Sequence, residues 1–306
     1  MRELVVISGK GGTGKTSIAA ALATLAQPVV LADCDVDAPD LHILTSPEIQ
    51  VSHPFSGGRK ARIVTEECCG CGRCVETCRF SAIGEGPGND VVGMTHVVDP
   101  MACEGCGACV ELCPVHAIRF EPVENGHWYF SRTRFGPMVH ARMHPGEENS
   151  GKLVSTVRRQ ARQAATASEI DLIIVDGSPG VGCPVIASLT NADLALVVAE
   201  PTPSGSHDAL RVIELARKMH IPTALCVNRW DISPSSTKHL ERDAADLGVT
   251  LAGHVRDDAQ VVAAQMGNRS IIESADIPAA HDVRRLWQYF KRWIAQPTGK
   301  ESVCQS

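Results

Sequence analysis

The sequence predicts an α/β protein whose doubly wound, mostly parallel sheet is interrupted by a small α+β insertion. Three observations carry this. Short continuous apolar strands alternate with helices at both ends of the 306-residue chain, the pattern of a parallel sheet covered on both faces. Nine of the 13 cysteines fall between Cys68 and Cys113. The stretch around them, residues 61–122, sets four arginines against nine carboxylates, so most of the net charge of −6 sits there.

At 44% apolar and 21% charged residues the chain can bury a sizeable core, which excludes global disorder. The acidic balance argues against a nucleic-acid binder, for which a basic footprint is expected. No apolar run reaches the ~18 residues of a membrane span. The first residues run straight into Leu4-Val5-Val6-Ile7, which leaves no room for a leader, so a cytoplasmic protein is expected. In a reducing compartment, clustered cysteines at short spacing indicate metal binding rather than disulfides.

In order, the predicted elements are a strand at 4–8, a glycine-rich loop at 9–16, a helix at 17–26 and a strand at 29–32. Pro28 restarts the chain after an alanine-rich helix. The pattern returns with a helix at 152–167, strands at 171–175 and 194–199, a helix at 206–219, a strand at 223–227, a helix at 236–247 and a strand at 249–255. Residues 52–58 and 121–126 read as linkers. The expected limits are 1–58 and 124–296 for the main domain, 59–123 for the insertion and 297–306 for a flexible tail. Within the insertion, residues 68–83 and 103–118 repeat at an offset of 35, which predicts a compact two-fold module.

Gly9-Lys10-Gly11-Gly12-Thr13-Gly14-Lys15-Thr16 fits G-x-x-x-x-G-K-[ST] between a predicted strand and helix. Glycines let backbone N–H groups converge on phosphate oxygens at the positive end of the helix. Lys15 is placed to bridge β- and γ-phosphates, and the Thr16 hydroxyl to hold Mg²⁺. The extra Lys10 makes the loop resemble the deviant Walker A loop of the MinD/Mrp and nitrogenase iron-protein ATPases. That resemblance implies a P-loop NTPase fold, ATP as ligand along the run from Gly9 to Ser17, and a dimer in which Lys10 reaches the partner's nucleotide. Asp33-Cys34-Asp35-Val36-Asp37-Ala38-Pro39-Asp40 resembles switch I, with Asp35 as the residue that orients the attacking water. Helix capping by an Asp-rich turn is the competing reading. Ile173-Ile174-Val175-Asp176-Gly177-Ser178-Pro179-Gly180 resembles Walker B running into switch II, with Asp176 toward Mg²⁺. Asn228 matches the adenine-recognition position, with loop capping as its alternative.

Cys68-x-x-Cys71-x-x-Cys74-x-x-x-Cys78 and Cys103-x-x-Cys106-x-x-Cys109-x-x-x-Cys113-Pro114 are two copies of the bacterial ferredoxin ligand run. In a two-cluster ferredoxin the fourth cysteine of each run ligates the other cluster. One [4Fe–4S] cluster is therefore expected on Cys68, Cys71, Cys74 and Cys113, and the other on Cys103, Cys106, Cys109 and Cys78. Zinc also suits four cysteines, but its sites usually pair two separated C-x-x-C knuckles. Arg79 stands where proline is usual; its positive charge could raise a cluster's potential, but solvation is its preferred reading. Cys69 has no place in the pattern and reads as a bystander. The acidic insertion suits a basic electron partner as well as it suits simple solvation.

Four features carry less. Cys183, seven residues after Asp176, matches a position that helps bind a bridging cluster in the nitrogenase iron protein; a small buried cysteine is the preferred reading. Cys34 and Cys226 read as packing residues and Cys304 as part of the tail. Val283, Leu286, Trp287, Phe290 and Ile294 share one helical face, which suits a last helix closing the sheet and also a membrane-surface helix like MinD's; packing is preferred. The histidines of residues 138–144, His140 and His144, read as a loop for want of a third metal ligand.

The whole resembles MinD-type ATPases with an inserted ferredoxin domain. The implied function is ATP hydrolysis in a homodimer, or in a heterodimer with a paralogous ATPase, coupled to cluster-borne electron transfer to a redox or metal-cluster protein. The alternative is a nucleotide-switched scaffold in metal-centre assembly, with slow hydrolysis as a timer.

Overall fold

The computed structural model describes residues 1–145, 150–274 and 277–297. The strands are β1 (Arg2–Ser8), β2 (Val30–Asp33), β3 (Glu48–Phe55), β4 (Gly58–Ile63), β5 (Ile83–Gly86), β6 (Thr95–Val98), β7 (Ile118–Val123), β8 (Gly126–Thr133), β9 (Gly136–Met143), β10 (Leu172–Pro179), β11 (Leu194–Ala199), β12 (Thr223–Asn228) and β13 (Thr250–Val255). The helices are α1 (Lys15–Ala26), α2 (Leu41–Thr45), α3 (Arg73–Thr77), α4 (Ala108–Glu111), α5 (Ser150–Ala167), α6 (Cys183–Leu189), α7 (Pro203–Lys218), α8 (Pro234–Asp246), α9 (Ala259–Met266) and α10 (Pro278–Ala295). The chain forms two compact units. One comprises Met1–His53, Trp128–Arg142 and the described residues from Ser150 onward; the other comprises Pro54–His127 with the described residues from Met143.

The first unit is built on a sheet of order β13-β12-β11-β1-β10-β2-β9-β8-β3. Every pairing from β13 to β9 is parallel. The central strands are apolar and buried on both faces, as their continuous Val/Ile/Leu runs require. Register matters for chemistry: Val6 stands beside Asp176 and Asp176 beside Asp33, so two carboxylates meet at the carboxyl ends of neighbouring strands. In α/β sheets that edge is where ligands bind.

Helix limits follow local caps. α7 begins at Pro203 rather than 206, because Thr202 caps it by accepting from the Gly205 N–H at 3.1 Å and proline suits the first turn. α10 buries Val283, Leu286 and Phe290, with Trp287 and Ile294 packed alongside, so its apolar face is spent on the core. Among the described residues no helix is long and apolar enough to cross a membrane.

Three strands of this nine-stranded sheet are not expected from the sequence, and the structure corrects the linkers and the loop expected there. Residues 48–55 form β3, 126–133 form β8 and 136–143 form β9. β3 is an edge strand exposed along all but its last residue; Ile49, Val51 and Phe55 alternate with polar residues, but Pro54 and the glycines after it give the stretch the look of a linker. The flanks at 58–63 and 118–123 are likewise strands, paired with each other. His140 lies in β9, buried, with Nε2 2.8 Å from Ser131 Oγ; burial first, and then His42, lowers its pKa to about 4.

β1 is anchored at its start by a buried ion pair. Glu3 accepts from Arg158 Nε at 2.6 Å and from Arg162 Nη2 at 2.5 Å, and Arg158 also donates to the carbonyls of Ala187 and Thr190. Breaking one partner strands a buried charge, so Glu3→Gln is expected to destabilise the protein by about 3–5 kcal/mol. A guanidinium denaturation midpoint that drops accordingly checks this; an unchanged midpoint contradicts it.

Candidate functional site

The glycine-rich loop joins β1 to α1 in the first unit. Gly9 lies against α7, where a Cβ would stand 2.2 Å from the Asp208 carbonyl carbon. Gly14 has φ of 87°, and a Cβ there would stand 2.3 Å from Asn228 Nδ2, so only glycine fits on both counts. Asn228, at the end of β12, donates through Nδ2 to the Thr13 carbonyl at 2.8 Å and ties the loop to that strand. Its side chain thus has the capping role as well as a place in the lining of the cleft.

Lys15 is 6% exposed, with Nζ 2.7 Å from Asp176 Oδ1 and 3.5 Å from Asp35 Oδ2. Burial works against its charge, but Asp176 and Asp35 hold the ammonium above the ordinary lysine value. Asp33 is fully buried, with Oδ1 accepting from the Asp35 N–H at 3.1 Å and Oδ2 from the Leu41 N–H at 3.2 Å. Burial and the neighbouring Asp176 push its carboxyl well above the usual range, against the pull of Lys15. Asp35 is also raised, by burial first and against Lys15. The capping role read for the aspartate run belongs to Asp33, through Leu41 at the start of α2; Asp37 and Asp40 are exposed.

The loop opens on a cleft of about 770 Å³ lined by residues 11–18, Asp35, Asn228, Arg229 and the 255–259 segment. That volume falls within the ~300–1,000 Å³ of small-molecule sites. Two buried polar atoms at the loop, Thr13 Oγ1 and Asp176 Oδ2, have no hydrogen-bond partner among the described residues. These orphans, beside a buried lysine, fit a phosphate chain with its magnesium ion. Lys10 lies within its own chain, Nζ 3.2 Å from Ser204 Oγ, 3.4 Å from Thr202 Oγ1 and 3.7 Å from Glu200 Oε2. Glu200 also pairs with Arg229. Cys183 is exposed at the first residue of α6, which corrects the buried cysteine expected there. Cys34 and Cys226 are buried, whereas Cys304 and 298–306 of the tail lie outside the described residues.

In the second unit the sequence repeat is also a backbone repeat. The left-handed N-caps Gly72 and Gly107 have φ of 75° and 76°, and Ser81 and His116 both have 52°. β4 pairs antiparallel with β7 and β5 with β6; moving Ile63 up by 35 and Ile118 down by 35 turns their pair into the Val98–Ile83 pair. One small cavity is lined by Cys68, Cys71, Cys74 and Cys113, and a second by Cys78, Cys103, Cys106 and Cys109. The crossed sets expected from the spacing are thus brought together. Backbone N–H groups donate to three sulfurs: Gly70 to Cys68 at 3.5 Å, Ala82 to Cys78 at 3.4 Å and Ala117 to Cys113 at 3.3 Å. Burial pushes the Cys74 thiol up to about 11 and raises that of Cys109. Four thiols of crossed origin share each cavity, with backbone N–H groups aimed at three of the sulfurs, so the donor set fits a metal cluster.

Cys69 lines the first cavity as well, and Arg79 is exposed. Near the end of β9, His144 meets the His127 ring at 5.7 Å; with Glu124 their donor atoms lie within 4.8 Å of one another.

Residues 4–271 match the CobQ/CobB/MinD/ParA nucleotide binding domain family. The chain belongs to that family. The uncharacterized protein MJ0578 of Methanocaldococcus jannaschii is 34% identical over 236 residues, covering 74% of this chain and 78% of the relative. Among solved structures, MinD of the MinC:MinD complex from Aquifex aeolicus shares the fold at a TM-score of 0.57, 17% identity and 97% and 98% coverage of the two chains. MinD from Pyrococcus horikoshii, complexed with Mg-ADP, has a TM-score of 0.56 at 14% identity, covering 96% and 97%. The first unit is thus the nucleotide-binding ATPase fold of the MinD/ParA type.

Within this family site, sequence reading missed two residues. Asp33 has no role in the switch I resemblance, although its position at the end of a buried strand is a usable signal. Glu200, the intrachain partner of Lys10, carries no local signature.

The charged form of Asp35 is disfavoured in the fold, so below its raised pKa the native state holds the extra proton. Native stability is lost as pH rises from about 4 through that raised value. Asp35→Asn is therefore expected to raise the nucleotide-free melting temperature at pH 7, with the gain shrinking toward pH 4. Thermal melts across that range check it, and a gain independent of pH refutes it.

Proposed function

We propose that the chain is an ATP-hydrolysing iron–sulfur protein in which a nucleotide-dependent dimer is coupled to two [4Fe–4S] clusters for electron transfer to a protein partner. The observation that carries this reading is the sorting of eight cysteines into two crossed sets of four within a chain of the MinD/ParA-type family. A zinc reading fits the sorting less well, because each set draws three cysteines from one tight run and the fourth from the other.

For the nucleotide, phosphates entering the cleft would take over Lys15 from Asp176 and Asp35. Backbone N–H groups of residues 11–16 would cradle the same phosphates. Asp176 and Thr16 would then hold the magnesium ion, which neutralises charge as it develops on the phosphoryl oxygens. Asp35, freed from Lys15, would orient the attacking water, and Asn228 would contact the base. Lys10 would exchange Glu200 for the partner protomer's nucleotide, making the assembled dimer the competent state. The complexes named for MinD, with Mg-ADP and with MinC, support a nucleotide-responsive surface that recruits a protein.

When bound, the clusters supply one-electron storage; the chain supplies the thiolates, the backbone donors and the exclusion of water. Linkage between nucleotide affinity and redox state must be reciprocal. If the clusters also control turnover, ATP hydrolysis by anaerobically purified protein is expected to differ between oxidised and dithionite-reduced samples. Lys15→Ala is expected to lose activity at least about 100-fold in both states. Unchanged turnover in Lys15→Ala removes the ATPase assignment, and equal wild-type rates favour the nucleotide-switched scaffold in metal-centre assembly.

The crossed ligand sets make a separate prediction. Cys113→Ser, although in the second run, is expected to lose the cluster of the first run and with it about half of an iron content of about eight per chain. Loss of all iron, or of none, speaks against crossed ligation.

A further inference from the structure

The two cysteine cavities are related by the 35-residue repeat, which makes each lining position comparable with its counterpart. The four cysteines correspond, and most other positions match or exchange one apolar residue for another. The backbone donors to the crossing cysteines correspond too, at 3.3 Å for Ala117 and 3.4 Å for Ala82, so they do not separate the sites. Four positions do. Where the Cys68 cavity has His96, the other has Ala61; where it has Arg73, the other has Ala108; where it has Cys69, the other has Glu104; and where it has Pro114, the counterpart is the exposed Arg79 beside Cys78.

His96 is 6% exposed, and neither ring nitrogen has a hydrogen-bond partner among the described residues. A neutral imidazole always carries one N–H, and a buried donor without an acceptor is costly. Nε2 lies over the Cys71–Cys74 loop, 3.9 Å from where a Cβ on Gly72 would stand. The acceptors that this cavity is built around are sulfurs.

We propose that His96 donates a hydrogen bond to the group held by Cys68, Cys71, Cys74 and Cys113, making this the higher-potential cluster of the two and the first to accept an electron. The inference rests on the iron–sulfur reading above. Taking one electron from a one-electron donor adds one negative charge to a cluster. A buried N–H and the Arg73 guanidinium stabilise that charge, whereas the Glu104 carboxylate at the second cavity opposes it. The guanidinium of Arg79 beside Cys78 runs the other way, but it is exposed and screened by solvent, whereas His96 is buried, so the buried donor sets the direction and gives the duplicated module an electron-receiving end and a lower-potential end.

The test begins with iron and acid-labile sulfide on anaerobically purified full-length protein; their absence defeats the iron–sulfur reading itself. With clusters present, a dithionite titration followed by electron paramagnetic resonance is expected to resolve two midpoints. His96→Phe keeps the bulk and removes the donor. It is expected to lower the upper midpoint until electron exchange between the clusters shifts at least tenfold, about 59 mV for a one-electron couple, with the lower midpoint unmoved. His96→Asn, which retains an N–H donor, is expected to restore most of the gap. Glu104→Gln, an exposed substitution, is expected to raise only the lower midpoint. A measurement on the wild-type side chains guards against misfolded variants. In protein labelled with ¹⁵N only at histidine and reduced by one electron, pulsed paramagnetic resonance is expected to detect one coupled histidine nitrogen. A single shared midpoint, an upper midpoint indifferent to His96→Phe, or no histidine coupling in the half-reduced protein overturns the proposal.

Discussion

The nucleotide-binding unit is organised around an unequal charge count: Lys15 faces the carboxylates of Asp176, Asp35 and Asp33 at the carboxyl end of the central strands. The sheet imposes this. Parallel pairing of β1, β10 and β2 sets Asp176 beside Asp33, and the turn after β1 delivers Lys15 to the same edge. Burial makes the carboxylates reluctant to ionise together, which raises Asp33 and Asp35 while Lys15 is held charged. A site balanced this way responds strongly to added charge. In the proposed ATPase, phosphate and magnesium arrive together and redistribute the partners of all four groups at once.

The same constraint explains what was legible in the sequence. The loop from Gly9 to Thr16, Asp35 and Asp176 stand out because strand, turn and helix signals agree around them, and the physics at a strand's carboxyl end tolerates few residue types. The eight cysteines were legible for a similar reason, since their spacing encodes which thiols can share one centre. β3, β8 and β9 were not legible. In β3 the alternation of Ile49, Val51 and Phe55 runs into Pro54 and the glycines of a linker-like stretch, and β9 mixes buried His140 and Met143 with small residues, so pairing in the sheet decides what local propensity does not. The exposure of Cys183 depends on where α6 begins, which no local pattern states.

His96 belongs to a further class. Its own neighbourhood, Met94-Thr95-His96-Val97-Val98, reads as a short strand with one histidine in it. Its meaning comes from a comparison across the repeat, once β4–β7 and β5–β6 are known to exchange under the 35-residue offset. A duplicated module begins with two equivalent halves, and equivalent halves give no direction to an electron. Direction requires side chains that break the symmetry while the backbone keeps it. The conserved φ values at Gly72 and Gly107, and at Ser81 and His116, keep the ligand loops superimposable. The exchanges at His96/Ala61, Arg73/Ala108, Cys69/Glu104 and Pro114/Arg79 then alter charge and hydrogen bonding between the two cavities. In the proposed reading, backbone geometry would thus hold two like clusters, and the buried His96 would make them unlike.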